Sequence, residues 1–179
     1  MRGRSAMRSA DVPSRNRKGC VTPMEYDVET LSSLVGQEIL VSDWISLSQD
    51  EIDAFGRVTR DIDPMHMDPD YAREHSPFGQ TILFGFQTLS MLSHLCSPIR
   101  YRHGGGVAGY DLNYGLNRVR FISPVPVNAR FRNRMVIKSV EQREDGAYLV
   151  TSENTIEIEG QERPALVAEW IGLISREAA

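Results

Sequence analysis

The ten residues 60–69, RDIDPMHMDP, gather Asp61, Asp63, Asp68 and His66 around Pro64 and Pro69. A carboxylate and an imidazole this close in sequence can hold one water from two sides. The first accepts a proton, and the second orients it or passes it on. Pro64 lies between Asp61 and His66 and restricts the backbone that sets their spacing. The competing account is turn-making, in which Asp61 and Asp63 cap turns and no chemistry follows. That account leaves unexplained why Met65 and Met67 flank the histidine and why a long apolar run follows within twenty positions.

The elements around this stretch must position it. Ahead of it, Ser48 is a candidate helix cap, followed by Asp50 and Glu51. Ile52, Phe55 and Val58 then recur at the spacing of a short amphipathic helix that delivers its end to Asp61. Pro64 and Pro69 forbid a regular helix between them, so His66 is expected on an irregular or single-turn segment, before a second short helix in DPDYAREH. The run ILFGFQTLSMLSHLCSPI is apolar on nearly every side, which predicts a helix buried all round and stopped by Pro98. From Arg118 the pattern changes to β-branched and aromatic runs, RVRFISPVPV, FRNRMVIKSVEQ, AYLVTSENTIEIE and ALVAEWIGLI, separated by the turn signals EDGA and GQERP. Three or four antiparallel strands, with an earlier one near EILVSDWISL, make an α+β domain of sheet and helix. HGGGVAGY lacks the lysine and the strand–turn–helix context of a phosphate loop and is expected to be a flexible connection.

Composition narrows the partners. With 179 residues, 41% hydrophobic and 25% charged, the chain has one domain's worth of residues and can bury a core. A net charge of −4 gives no pull towards nucleic acid or an anionic membrane, and no apolar run is long enough to span a bilayer. A small molecule or another protein is the expected partner. Residues 1–22 carry six basic side chains against Asp11 alone, +5, which leaves −9 for the remainder. The first 23 residues are therefore expected to be a disordered basic tail and 24–179 the single domain. Pro13 and the few large apolar residues argue against a transit helix, and Met24 offers an alternative start. Cys20 and Cys96 sit in unlike contexts, so no structural disulfide is expected and a reducing, cytoplasmic setting fits. His75, His94 and His103 have no metal-ligand spacing and are expected on the surface or as helix fillers.

TRDIDPMHMDPDYA resembles the hydratase motif of MaoC-like dehydratases and R-specific enoyl-CoA hydratases, a Ser/Thr-Gly-Asp-x-Asn-Pro-Leu/Ile-His pattern followed by an acid, a short helix and a later His-Gly-Met. LVGQEILVSDWISLSQDEIDAF, SPFGQTILFGFQTLSMLSHL and NYGLNRVRFISPVPVNARFR are similar to the nodulation protein N branch, so the likeness spans about residues 31–175. The resemblance implies a hotdog fold, a sheet wrapped around a central helix at Gly85–Ser97, in a homodimer. It implies reversible hydration of a 2-enoyl thioester of coenzyme A or an acyl carrier, with Asp61 and His66 catalytic and the Gly85 N–H polarising the thioester carbonyl. Asp63, Phe84, Ser93 and Asn117 fall at substrate-binding positions. The chemistry needs a base near C3, a proton for C2 and donors for the enolate oxygen, and it requires no metal or cofactor. A glycine opening a helix suits the last role, since no side chain obstructs its N–H.

Three positions depart from the motif: Arg60 stands for the usual glycine, Asp63 for asparagine, and Phe84 for the histidine of His-Gly-Met. An arginine touching Asp61 would lower its pKa and weaken it as a base. Phe84 replaces a polar wall with an apolar one. Two rival readings remain. A hotdog thioesterase would want an acid on the central helix, and Gly85–Ser97 has none; a non-catalytic acyl-thioester-binding or assembly protein is the other. The alternating Arg118, Arg120, Arg130, Arg132 and Arg134 suggest a solvated sheet face, with one or two available for coenzyme A phosphates.

Overall fold

A computed structural model describes residues 23–175, so the basic tail expected over the first 23 residues lies, all but Pro23, outside the described residues. Eight strands and five short helices follow in the order β1 (Met24–Asp27), β2 (Glu38–Val41), α1 (Gln49–Thr59), α2 (Pro64–Met67), α3 (Pro69–His75), α4 (Gly85–Ser90), α5 (Leu92–Leu95), β3 (Ile99–His103), β4 (Gly106–Val107), β5 (Tyr110–Phe121), β6 (Phe131–Gln142), β7 (Tyr148–Ile158) and β8 (Leu166–Ser175). A 3₁₀ turn at Leu31–Leu34 separates β1 from β2. The main sheet is antiparallel, in the order β2-β6-β7-β8-β5. A small second sheet, β1-β3-β4, pairs β1 with β3 in parallel. Its strands were not legible in the sequence, because each is short, and HGGGVAGY, expected to be a flexible connection, instead contains the end of β3 and all of β4, paired as a tight antiparallel turn.

The period-two runs after Arg118 become the long strands. β6 and β7 alternate buried and half-buried residues along most of their length, with Phe131, Met135, Ile137, Val150, Ile156 and Ile158 pointing into the core. The opposite face of β6 is the solvated one. Arg132 bonds Glu157 at 2.8 Å, Arg134 bonds Glu38 at 2.7 Å, Arg130 bonds Glu159 at 2.8 Å, and Trp44 lies beneath the Arg132 guanidinium. β5 begins eight residues before the run that signalled it, since the polar and glycine-containing segment Tyr110–Asn117 is held in the sheet by β8.

The helical layer holds two departures from the sequence-based expectation. The central helix is not one rod buried all round. It breaks at Met91 into α4 and α5, and Gly85, Phe86, Ser90, Ser93 and His94 face outwards, with Phe86 71% exposed. Apolar residues on every side of a helix here mean that one face is left uncovered within a single chain. In α1, Val58 is 84% exposed, and the inward position on that side is taken by Gly56, which is buried. His103 is also buried, against Tyr148, although it was expected on the surface or as a helix filler.

Two apolar clusters form the core, one around Phe131, Leu166 and Phe84, the other around Ile137, Leu31 and Ile174. At the centre of the sheet beneath α5 lies a buried polar group: Asn133 Nδ2 donates to Asn154 Oδ1 at 2.8 Å, Asn154 Nδ2 to Ser152 Oγ at 2.9 Å, and Asn133 Nδ2 approaches Cys96 Sγ at 3.2 Å.

Candidate functional site

Local sequence builds the His66 segment turn by turn. Ser48 and Glu51 form a reciprocal capping box that starts α1. Arg60 ends that helix in the left-handed conformation, φ 63 and ψ 21, which explains why glycine suits the position. Asp63 Oδ1 then accepts from Met65 N at 2.8 Å to start α2, and Asp68 accepts from Asp70 N and Tyr71 N to start α3. Pro64 and Pro69 each open their helix, where a missing N–H costs nothing. The two prolines therefore frame one helical turn with His66 on it.

The His66 ring is fixed from two sides. Its Nδ1 lies 2.8 Å from the Ile82 carbonyl oxygen, an acceptor only, so Nδ1 carries the proton and donates. The ring rests on Phe84, with centroids 4.0 Å apart, and Phe84 is 3% exposed. Nε2 makes no hydrogen bond to a described residue and, in the neutral ring, keeps its lone pair. Asp61 is exposed on the loop before α2, and its carboxylate has no hydrogen bond or ion pair with a described residue. Arg60 makes no hydrogen bond or ion pair with it either.

Phe84 and the Asp61 loop converge on Gly56. A Cβ at Gly56 would fall on Met67 Sδ, 2.9 Å from the Asp61 carbonyl oxygen and 3.0 Å from Phe84 Cζ. Gly85 follows Phe84 as the first residue of α4 and is exposed, with an N–H that has no acceptor within the helix. A Cβ there would lie 3.2 Å from the Phe121 ring of β5. Asp61, His66, Phe84 and Gly85 thus share one region. Asp63 belongs to it as the cap of α2.

Ser93 and Asn117 are joined to that group by no hydrogen bond or ring contact among the described residues. Ser93, on the outward face of α5, lines a cavity of about 260 Å³ with Arg100, Tyr101, Asp111, Ser152 and Trp170. Burial raises the Asp111 carboxyl above its usual range, partly offset by Arg100. Asn117 is exposed on β5, inside the register shift between Leu116 and Val119. The residues that sequence reasoning missed are Gln49, Thr81 and the β5 and β8 members of the cavity, because nothing local marks a polar residue whose partners are far along the chain. Among the described residues no group of three His, Cys, Asp or Glu is arranged to hold a metal ion, and no helix is long and apolar enough to cross a membrane.

A sheet laid along a broken central helix is a hotdog-type domain, here with Asp61 and a ring-locked His66 on the segment between α1 and α3. The comparisons specify which. Residues 30–158 match the MaoC like domain model, and the chain belongs to that family. It is 42% identical over 154 residues to nodulation protein N of Rhizobium leguminosarum bv. viciae, covering 84% of this chain and 92% of that one. It is 39% identical over 144 residues to 3-hydroxyacyl-thioester dehydratase Z of Mycobacterium tuberculosis strain H37Rv, covering 80% and 93%. Among solved structures, the (R)-hydratase from A. caviae involved in PHA biosynthesis aligns with a TM-score of 0.59 at 23% identity, covering 77% of this chain and 94% of that one, a likeness of fold.

Proposed function

We propose that this chain is an acyl-thioester hydratase/dehydratase, adding water reversibly to a 2-enoyl thioester to give the 3-hydroxyacyl thioester. The observation that carries the reading is His66, whose Nδ1–H is committed to the Ile82 carbonyl at 2.8 Å so that Nε2 is left as an acceptor. Water held between that nitrogen and the Asp61 carboxylate bonds to C3 while one of its protons passes to the pair. C2 then takes a proton, and the enolate oxygen formed between these steps is met by the Gly85 N–H. Dehydration is the same path reversed. The relative named a 3-hydroxyacyl-thioester dehydratase supports the reaction class.

Phe84 makes one wall of the site apolar, and the motif likeness assigns Ser93 and Asn117 to contacts with the acyl thioester beyond it. Of the five alternating arginines, Arg118 and Arg120 on β5 are the two with no acidic partner among the described residues, which leaves them available to coenzyme A phosphates. The protein works in the cytoplasm as a homodimer through β5, an edge strand that exposes Tyr110, Leu112, Tyr114, Leu116 and Phe121. α4 and α5 contain no Asp or Glu, which counts against thioester hydrolysis. The test follows the loss of enoyl absorbance across a panel of 2-enoyl-CoA chain lengths. Hydration of at least one length, without release of free thiol, is the expected result. Tight acyl-CoA binding with no turnover on any length would replace this reading with a binding protein.

A further inference from the structure

Gln49, the first residue of α1, reaches three elements at once. Its Nε2 donates to the His66 carbonyl oxygen at 2.8 Å and to Asp53 Oδ1 at 2.8 Å, and its Oε1 accepts from Thr81 Oγ1 at 2.6 Å. The amide cannot be turned over: that would set Oε1 against two acceptors. Thr81 is 1% exposed, and its own carbonyl accepts from Val127 N at 3.0 Å, so this segment is anchored to the rest of the fold. The next residue, Ile82, supplies the carbonyl that holds His66 Nδ1. The backbone and the ring of His66 are therefore tied to two consecutive residues of one strap, the ring directly and the backbone through Gln49.

We propose that Gln49, acting with Thr81, is a positioning residue that sets His66 in register with the Ile82 carbonyl and so holds the imidazole in the tautomer with its proton on Nδ1. The assignment of a catalytic consequence rests on the hydratase reading above. A ring pinned only by its side chain can swing about its own backbone; with its carbonyl clamped, the pivot is fixed as well. Misplacement of a reacting group by about 1 Å can cost about 10²-fold in rate.

The experiment compares Gln49→Leu, Thr81→Val and Thr81→Ser by ring ¹⁵N NMR of His66, at a pH where the imidazole is neutral, and by steady-state hydration kinetics. The wild type should show one tautomer. Gln49→Leu and Thr81→Val should each show a mixture of the two, with kcat lowered about 10-fold or more and KM little changed, while Thr81→Ser keeps the hydroxyl and restores the wild-type spectrum and rate. Because the double variant breaks the same link, it should lose no more than the worse single one. A folded Gln49→Leu or Thr81→Val protein with the wild-type tautomer and kcat overturns the proposal. So does a loss of rate that Thr81→Ser fails to rescue. If the wild type proves inactive while the variants still release the tautomer, the positioning role stands and the hydratase reading falls.

Discussion

The His66 side chain is hydrogen-bonded through its ring whereas the Asp61 carboxylate bonds no described residue, so the two should answer substitution differently. Asp61→Asn removes the proposed base, whose carboxylate bonds no described residue, and hydration should fall at least ~10²-fold with an unchanged melting temperature. His66→Gln should lose as much activity and also about 1 kcal/mol of stability, since the bond to the Ile82 carbonyl goes with it. Asp63→Asn is the control, because an amide oxygen can still accept from Met65 N; kinetics beside thermal melts separate the three. Cys96 gives a second prediction. Burial pushes its thiol up to about 12, so the thiolate is scarce in the folded protein. In a Cys20→Ser background, iodoacetamide should leave native protein unmodified at neutral pH and label it once unfolded. The raised value also means that protonated Cys96 favours the fold below the ordinary thiol range, a contribution lost as pH rises from there towards about 12.

The junction of α1 with α2 is governed by two backbone positions, and they should respond with opposite signs. Arg60 holds φ 63, which glycine adopts without steric cost, so Arg60→Gly should raise stability by about 0.5–1 kcal/mol and leave the Asp61 carboxylate free. Gly56→Ala forces a methyl group towards Met67 Sδ, the Asp61 carbonyl and Phe84. It should cost about 1–3 kcal/mol and reduce activity through displacement of the Asp61 loop. Urea unfolding of both variants beside their hydration rates checks the pair. The sign for Arg60 depends on the side chain having no hydrogen bond or ion pair to a described residue, as observed.

At the scale of the molecule, among the described residues, β5 leaves one long edge of the main sheet unpaired and apolar, and α4 leaves Phe86 uncovered beside Phe121. Edges of this kind are paired or protected in stable proteins. Light scattering at micromolar concentration should give a dimer mass, and Leu112→Lys with Tyr114→Lys should shift it to the monomer. Removal of residues 1–22 should change neither the melting temperature nor the hydration rate, because that segment has few large apolar groups and carries its own charge excess. A large fall in melting temperature would refute the last point.

Short-range chemistry was legible in the residues themselves. Ser48 with Glu51, Asp63 before Pro64 and Asp68 before Pro69 each specify a helix start from neighbours within three positions, and that is enough to put His66 on a single turn after Asp61. The long alternating runs likewise specified β6, β7 and β8, because burial on one sheet face repeats every second residue. What the sequence could not express was whatever depends on a partner far along the chain. The strand character of Tyr110–Asn117 comes from pairing with β8, the burial of Gly56 in place of Val58 comes from Phe84 and Met67 arriving at α1, and the uncovered face of α4 and α5 comes from the sheet packing against the other one. The hydrogen bonds that orient His66 were decided in the same way. Ile82, Gln49 and Thr81 lie 16 or more residues from the groups they hold, and no local pattern encodes a hydrogen bond made across a fold.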